Sequence, residues 1–348
     1  MPLLEEYLKD KPELRKAMED NKPNYTPEDN STLSIVIKPE ALDLSALEVG
    51  NGGNEYRPTS WDEYIGQNLA KDYIKGEIEG CLKRNETLKH IFLSAPPGHG
   101  KTLFAEILAY QLNKKVVSCI AGEIKSEQQF VDKVSECNGN ILFIDEANRI
   151  PKKIGFFILP ILEQFKLHGQ NLKPFTTIFA TTHKGDLAKD LDALIQRFEI
   201  ELELEHYTEN DIIKITEIYK KKSYNDIKVS DEIYKIIAKN SRDTPRIARK
   251  LLRQYAYTNN ISRVLRNNRI IKNGLTDADI HVLQLLNTSK GLGANNLAKS
   301  LRIKPQTYEY QIEPFLIFKK YIKIEGKRKI TEKGVMLLEN LDEGKSRS

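Results

Sequence analysis

The segment Ala95-Pro96-Pro97-Gly98-His99-Gly100-Lys101-Thr102 carries the residue types that hold polyphosphate, at the spacing such a grip requires. It lies between an apolar strand-like run, His90-Ile91-Phe92-Leu93, and an apolar helix-like run, Leu103-Phe104-Ala105-Glu106-Ile107-Leu108. A turn rich in Gly and Pro at a helix mouth aims several backbone N–H groups at one point, and the helix dipole adds positive potential there. Lys101 can reach the β- and γ-phosphates, and the Thr102 hydroxyl can ligate Mg²⁺. Gly98 and Gly100 let the backbone approach without a Cβ in the way. Ala95 stands where this phosphate loop usually begins with glycine. About 40 residues on, Asn140-Ile141-Leu142-Phe143-Ile144-Asp145-Glu146 is an apolar run ending in two carboxylates. It fits a strand buried on both faces of a parallel sheet, with Asp145 placed to hold the Mg²⁺ shell and Glu146 to polarise an attacking water. Read alone, the second run is a buried strand with an acidic helix cap; behind the phosphate loop it predicts nucleotide hydrolysis.

Such residues work only if a sheet lines them up. From Arg57 to about Asp190 helix and strand patterns alternate: helix 68–84, strand 90–94, helix 101–112, strand 115–119, helix 126–136, strand 140–144, helix 154–165 and strand 176–180. That order predicts an α/β fold with a doubly wound parallel sheet. Residues 208 to about 272 read as all helix, with Thr208 and Ser230 as N-caps and Thr244-Pro245 opening a further helix. From Thr276 to about Asn340 come helices at 277–288, 293–301 and 305–318. Two strand runs follow, Tyr321-Ile322-Lys323-Ile324 and Arg328-Lys329-Ile330, around Glu325-Gly326-Lys327. Three helices and a β-hairpin make a winged helix. The expected domains are an acidic, partly disordered arm at 1–55, a nucleotide-binding domain at 56–205, a helical lid at 206–273, a DNA-binding winged helix at 274–340 and a disordered tail at 341–348.

A chain of 348 residues has room for two or three domains. Three cysteines without C-x-x-C spacing and six scattered histidines argue against disulfides and zinc, and so for a reducing, cytoplasmic compartment. No run is as long as a membrane span, and the first residues lack the regions of a signal peptide. The net charge of +5 is unevenly spread. Residues 1–55 carry 12 acidic and 6 basic side chains, whereas 242–273 carry 9 basic and 1 acidic. The basic run suits nucleic acid, although a solvated helix face would look the same.

Beyond these two motifs, Arg57-Pro58-Thr59-Ser60-Trp61-Asp62-Glu63-Tyr64-Ile65-Gly66-Gln67, Ala147-Asn148-Arg149-Ile150, Ala180-Thr181-Thr182, Gln196-Arg197-Phe198, Asp243-Thr244-Pro245-Arg246-Ile247-Ala248 and Ile312-Glu313-Pro314-Phe315-Leu316-Ile317 follow in order. Over roughly residues 56–335 the chain resembles the RuvB family, the bacterial Holliday-junction branch-migration motors of the AAA+ class. The resemblance implies an ATP- and Mg²⁺-dependent DNA motor that works as a homo-oligomer, a hexameric ring or a spiral, on double-stranded or four-way-junction DNA. It implies an adenine pocket at Tyr56, Arg57, Tyr64 and Ile65, with Tyr207 as a further nucleotide contact. Pro97, Gly98, His99, Gly100, Lys101, Thr102 and Leu103 form the phosphate loop of that site. Thr182, with Thr181 as its alternative, matches the γ-phosphate sensor, and Arg246 matches the second sensor on the lid. Arg197 matches the arginine finger that reaches into a neighbour's site. A guanidinium suits that task because it stays charged and forks to phosphoryl oxygens.

The chain also departs from the family. The long hairpin that docks the partner RuvA is reduced to Leu162-Glu163-Gln164-Phe165-Lys166-Leu167, a short link and Pro174-Phe175-Thr176, which sets a RuvA-like partner in question. Ile195 replaces a second arginine before the finger, and Ile324 replaces a DNA-contacting arginine in the wing. Lys323, Lys327, Arg328 and Lys329 keep the wing's positive charge and are its expected DNA contacts. Two other readings fit parts of this set: a remodeller like clamp loaders or helicase loaders, and a DNA-binding protein switched by nucleotide.

Overall fold

The apolar runs pair as expected, and the sequence between them decides which edge each occupies. A computed structural model describes residues 56–167, 169–182 and 195–346. The expected arm at 1–55 lies outside the described residues. In chain order the first module runs α1 (Asn68–Arg84), β1 (Ile91–Ser94), α2 (Lys101–Gln111), β2 (Val116–Ile120), α3 (Glu127–Cys137), β3 (Ile141–Asp145) and α4 (Lys152–Gln164). A small hairpin follows, β4 (Lys166–Leu167) and β5 (Gln170–Asn171), then β6 (Thr176–Thr181) and β7 (Ile200–Glu203). The five long strands form one parallel sheet in the order β2-β3-β6-β1-β7. Strand β1 sits inside the sheet while its successor β2 lies at the far edge, so the chain reverses direction beside β1. In such sheets a crevice opens there, at the carboxyl ends of the strands.

Burial explains what the sequence pattern caught. Strands β1 and β6 are buried throughout and β3 all but its terminal Asp145, as continuous apolar runs in a parallel sheet must be. Strand β7 was absent from the expected pattern because Ile200-Glu201-Leu202-Glu203 alternates buried and exposed, the mark of an edge strand. One hydrophobic cluster, including Ile74, Leu93, Phe104 and Ile178, packs one face of the sheet; a second, including Phe92, Phe130, Ile158 and Phe179, packs the other.

The lid comprises α5 (Glu209–Ser223), α6 (Asp231–Asn240), α7 (Pro245–Thr258) and α8 (Ile261–Asn267). Thr208 opens α5 with a full capping box to Asp211, and Pro245 takes the first position of α7. Ser230 precedes α6 without making a side-chain cap. A short pair, β8 (Ile270–Lys272) and β9 (Leu275–Thr276), then turns through Asn273-Gly274, both with positive φ. That dipeptide is a hairpin signal in the sequence that the helical reading passed over.

The last module is α9 (Asp277–Asn287), α10 (Ala294–Ser300), α11 (Pro305–Thr307), a π turn at Tyr308–Ile312, α12 (Glu313–Phe318), β10 (Ile322–Glu325), β11 (Lys327–Ile330) and α13 (Glu332–Ser346). It is a winged helix. The helix expected at 305–318 is present but loosened at its middle turn, and α13 runs through the expected tail boundary at residue 341. The lid closes its own core around Ile212, Ile237 and Leu251, and the winged helix another around Leu283, Leu297, Tyr308 and Leu316. Each module therefore holds its shape by its own packing.

Candidate nucleotide site and nucleic-acid face

Strand β1 delivers the phosphate loop to the crevice, and glycine at two points decides its shape. Gly98 and Gly100 have φ of 78° and 91°, where a side chain is strained. A Cβ on Gly98 would stand 2.8 Å from Thr244 Cγ2, so the mouth of lid helix α7 abuts the loop directly. A Cβ on Gly100 would meet the Tyr64 hydroxyl at 3.0 Å. Lys101 opens α2 and is 7% exposed; its ammonium donates to the Ala95 carbonyl at 3.1 Å. Burial pulls its pKa below the ordinary lysine value, and the nearby Asp145 carboxylate opposes that pull. The loop thus keeps a partly desolvated cation on its own backbone.

A cleft of about 620 Å³ opens over this loop. It gathers Tyr56, Arg57, Tyr64, Ile65, Gly98, His99, Gly100, Lys101, Thr102, Leu103, Asp145, Tyr207 and Arg246 from the expected set. Pro97, Glu146, Thr182 and Arg197 do not line it. Tyr207 donates to the His99 carbonyl at 3.3 Å, which ties the entrance of the lid to the loop. Arg57 pairs with Glu106 of α2 at 2.6 Å and so braces the rim. The donors fit a hard cation such as Mg²⁺: the Thr102 hydroxyl and one carboxylate, Asp145, in a cleft open enough for the waters that Mg²⁺ retains. Among the described residues no cluster of three or more His, Cys, Asp or Glu forms a cage for any other metal.

The cleft also holds residues that sequence reading missed. Ile215, Ile218 and Tyr219 of α5 form its lid-side apolar wall, and Arg249, Lys250 and Arg253 extend the row begun by Arg246 along α7. The Arg249 guanidinium lies 4.4 Å from the centre of the Tyr219 ring. Spacing of three, four and seven residues puts all four cations of α7 on one helix face, a signal present in the sequence but indistinguishable there from a solvated stripe.

The other expected catalytic groups sit just outside. Glu146 follows β3 with a φ of 54° and pairs with Arg149 at 2.9 Å, while its backbone N–H donates to Asp145 Oδ1 at 2.8 Å. Thr181 ends β6 buried, its hydroxyl 3.4 Å from Asn148 Oδ1; Thr182 follows, half-buried. Arg197 lies exposed before β7 and pairs with Glu163 of α4 at 2.8 Å.

In the wing, Lys323 and Lys329 flank Glu325 at 2.8 and 3.1 Å, and Lys327 is exposed at the turn. Arg328 differs from its neighbours. Its guanidinium takes both oxygens of Glu313, at 2.6 and 3.0 Å, and only 18% of its side chain is exposed. Its backbone also bridges to Leu292, so Arg328 ties the wing to α12 and to the turn before α10. The expectation that it presents its charge to DNA gives way to an internal ion pair.

Residues 56–204 match the model of the Holliday junction DNA helicase RuvB P-loop domain, and residues 272–339 that of the RuvB C-terminal winged helix domain. The chain is 34% identical over 297 residues to the Holliday junction branch migration complex subunit RuvB of Phytoplasma mali, covering 77% of this chain and 87% of that protein. The RuvB subunit of Nitratiruptor sp. is 32% identical over 292 residues, covering 76% and 86%. Among solved structures, the Thermotoga maritima RuvB Holliday junction branch migration motor superposes with a TM-score of 0.74 at 29% identity, covering 81% of this chain and 98% of that one.

Proposed function

The chain belongs to the RuvB family, and from that membership we propose that it is an ATPase that drives branch migration of four-way DNA junctions. The observation that carries this is the shared cleft: Lys101 and Thr102 at the head of α2 and Asp145 at the end of β3 line it together with Arg246 from the lid, on a chain that also carries a winged helix. Family membership favours this reading over the loader and the nucleotide switch.

In the proposed site Lys101 exchanges the Ala95 carbonyl for phosphate oxygens, a trade its buried position favours because attraction between opposite charges is stronger at low dielectric. Thr102 and Asp145 would hold Mg²⁺, which when bound would neutralise phosphate charge. Glu146 leaves Arg149 to orient water, and Thr182 reads the γ-phosphate from the end of β6. Tyr56, Arg57, Tyr64, Ile65 and Tyr207 enclose the base side. Arg246 pulls the lid toward the phosphates, and that lid rotation is the working stroke.

Arg197 is exposed and lies outside its own cleft, which suits a finger that completes a neighbour's site in a ring or spiral. Lys323, Lys327 and Lys329 would contact phosphates without reading sequence, as a tracking motor requires. The hairpin that remains, two residues per strand, offers little surface for a RuvA-type docking contact, so recruitment by another route goes with this reading. The test is ATP turnover with and without four-way-junction DNA, alongside strand-exchange of a synthetic junction. Lys101→Ala and Glu146→Gln should each abolish both activities. Turnover unchanged in either variant would overturn the enzyme assignment.

A further inference from the structure

The phosphate loop and the winged helix are joined by three rings. His99, at the tip of the loop, is 2% exposed; its Nδ1 meets the Pro97 carbonyl at 3.1 Å, while Nε2 is buried without a hydrogen-bond partner. Its ring stands edge-on to His206, centroids 5.0 Å apart at 83°. His206 in turn stacks flat on Phe318, the last residue of α12, at 3.7 Å and 13°. Burial holds His99 down to about 4 and lowers His206 as well, so both imidazoles are neutral near physiological pH.

The middle ring has a rigid mount. On one side Gln67 clasps the Glu205 backbone with two 2.7 Å hydrogen bonds; on the other, Tyr207 donates to His99. A second strut runs beside it. Lys319, next after Phe318, pairs with Asp243 at 2.5 Å, just ahead of the helix that carries Arg246. Arg242 anchors the same corner, pairing with Asp279, donating to the Gly274 and Gln311 carbonyls at 2.9 and 3.1 Å, and lying over the Phe315 ring. Arg242, Asp243 and Lys320 all hold positive φ, of 55°, 53° and 60°. Arg242 and Lys320 are the left-handed residues just past the ends of α6 and α12, so both helices stop at this corner and their termini are fixed against each other by these contacts.

We propose that the His206–Phe318 stack, braced by Asp243–Lys319, is the joint through which the nucleotide cleft and the DNA-facing wing sense each other. Both are positioning residues that touch neither ligand. The rings are in van der Waals contact at 3.7 Å, so tilting the winged helix either carries His206, and with it His99 and the phosphate loop, or breaks the stack. The inference rests on the reading that the chain binds ATP and DNA.

Linkage makes it testable, because a coupling of this kind must be reciprocal. The full-length protein is titrated with a fluorescent duplex, with and without a non-hydrolysable ATP analogue, and with the analogue, with and without duplex. The wild type should show one coupling factor in both directions, of order 5- to 150-fold. His206→Ala and Phe318→Ala should bring that factor to about 1 while each separate affinity stays within about two-fold, because both side chains are partly exposed and touch neither ligand. Phe318→Tyr keeps the flat ring and should retain the coupling. Variants that keep the wild-type factor overturn the joint, as does a wild type that binds both ligands independently. A wild type that binds neither overturns the functional reading beneath it.

Discussion

Arg197 and Glu163 form an ion pair within one protomer, guanidinium Nε to carboxylate Oε1 at 2.8 Å. The arginine assigned to a neighbour's site is therefore parked on its own subunit. Exposed pairs of this kind contribute about 0.2–1 kcal/mol, enough to bias the side chain without locking it. Glu163→Gln should raise ATP turnover up to about five-fold at limiting protein concentration, where finger capture is slow. A drop to the level of Arg197→Ala in the same assay would mean that Glu163 serves the reaction itself.

Arg197→Ala alone should cost about 10³- to 10⁵-fold in turnover. Mixed with Glu146→Gln subunits, it should recover part of that activity, because some interfaces then pair an intact finger with an intact cleft. Turnover is measured across mixing ratios. No recovery at any ratio would place the finger in its own subunit's site.

His99 gives the cleft an acid sensitivity of known sign. Its folded pKa, about 4, lies below the ordinary 6.5, so between those values the unfolded chain binds more protons. Stability is complete above about pH 6.5 and falls as the pH drops toward 4, by roughly 2–4 kcal/mol in all. Urea melts of the wild type against His99→Leu, from pH 4 to pH 8, isolate this contribution. Parallel pH profiles would show that the imidazole is not held neutral.

The wing's basic residues should separate into two kinds. Arg328→Ala strands the Glu313 carboxylate, whose side chain is 6% exposed, and should destabilise the winged helix by about 3 kcal/mol, visible as a lowered melting temperature. Lys327→Ala should leave melting unchanged and reduce the salt dependence of DNA binding, the slope of log K against log salt falling by about 0.9. If Lys327→Ala melts early and Arg328→Ala does not, the two assignments are reversed.

What the sequence makes legible is what local chemistry determines. The phosphate loop, the acidic end of β3, the all-helical lid and the hairpin of the wing are each coded within a few neighbouring residues, and the matches to RuvB domain models bear out the family resemblance they carry. Strand β7 escaped because an edge strand alternates and looks like a charged loop. The lid cations at Arg249, Lys250 and Arg253 escaped because nothing in the helix says which face meets the sheet. Arg328 misled because its partner, Glu313, lies 15 residues away on another element, and charge alone cannot distinguish a phosphate contact from a buried tie. The His206–Phe318 stack joins two modules and has no local trace at all.

The row of four positive side chains along α7 bears on the proposed lid motion. Over a rise of about 10 Å, these groups line the same cleft as Lys101 and Arg57, with Glu63, Glu106 and Asp145 offsetting part of the charge. On the proposed reading, the remaining excess of positive charge would favour an open lid, and a triphosphate, with one more negative charge than a diphosphate, would draw it shut more firmly. Lid closure would on that reading be a titration by the guest, and opening after hydrolysis the relaxation of an electrostatic spring that high salt should soften.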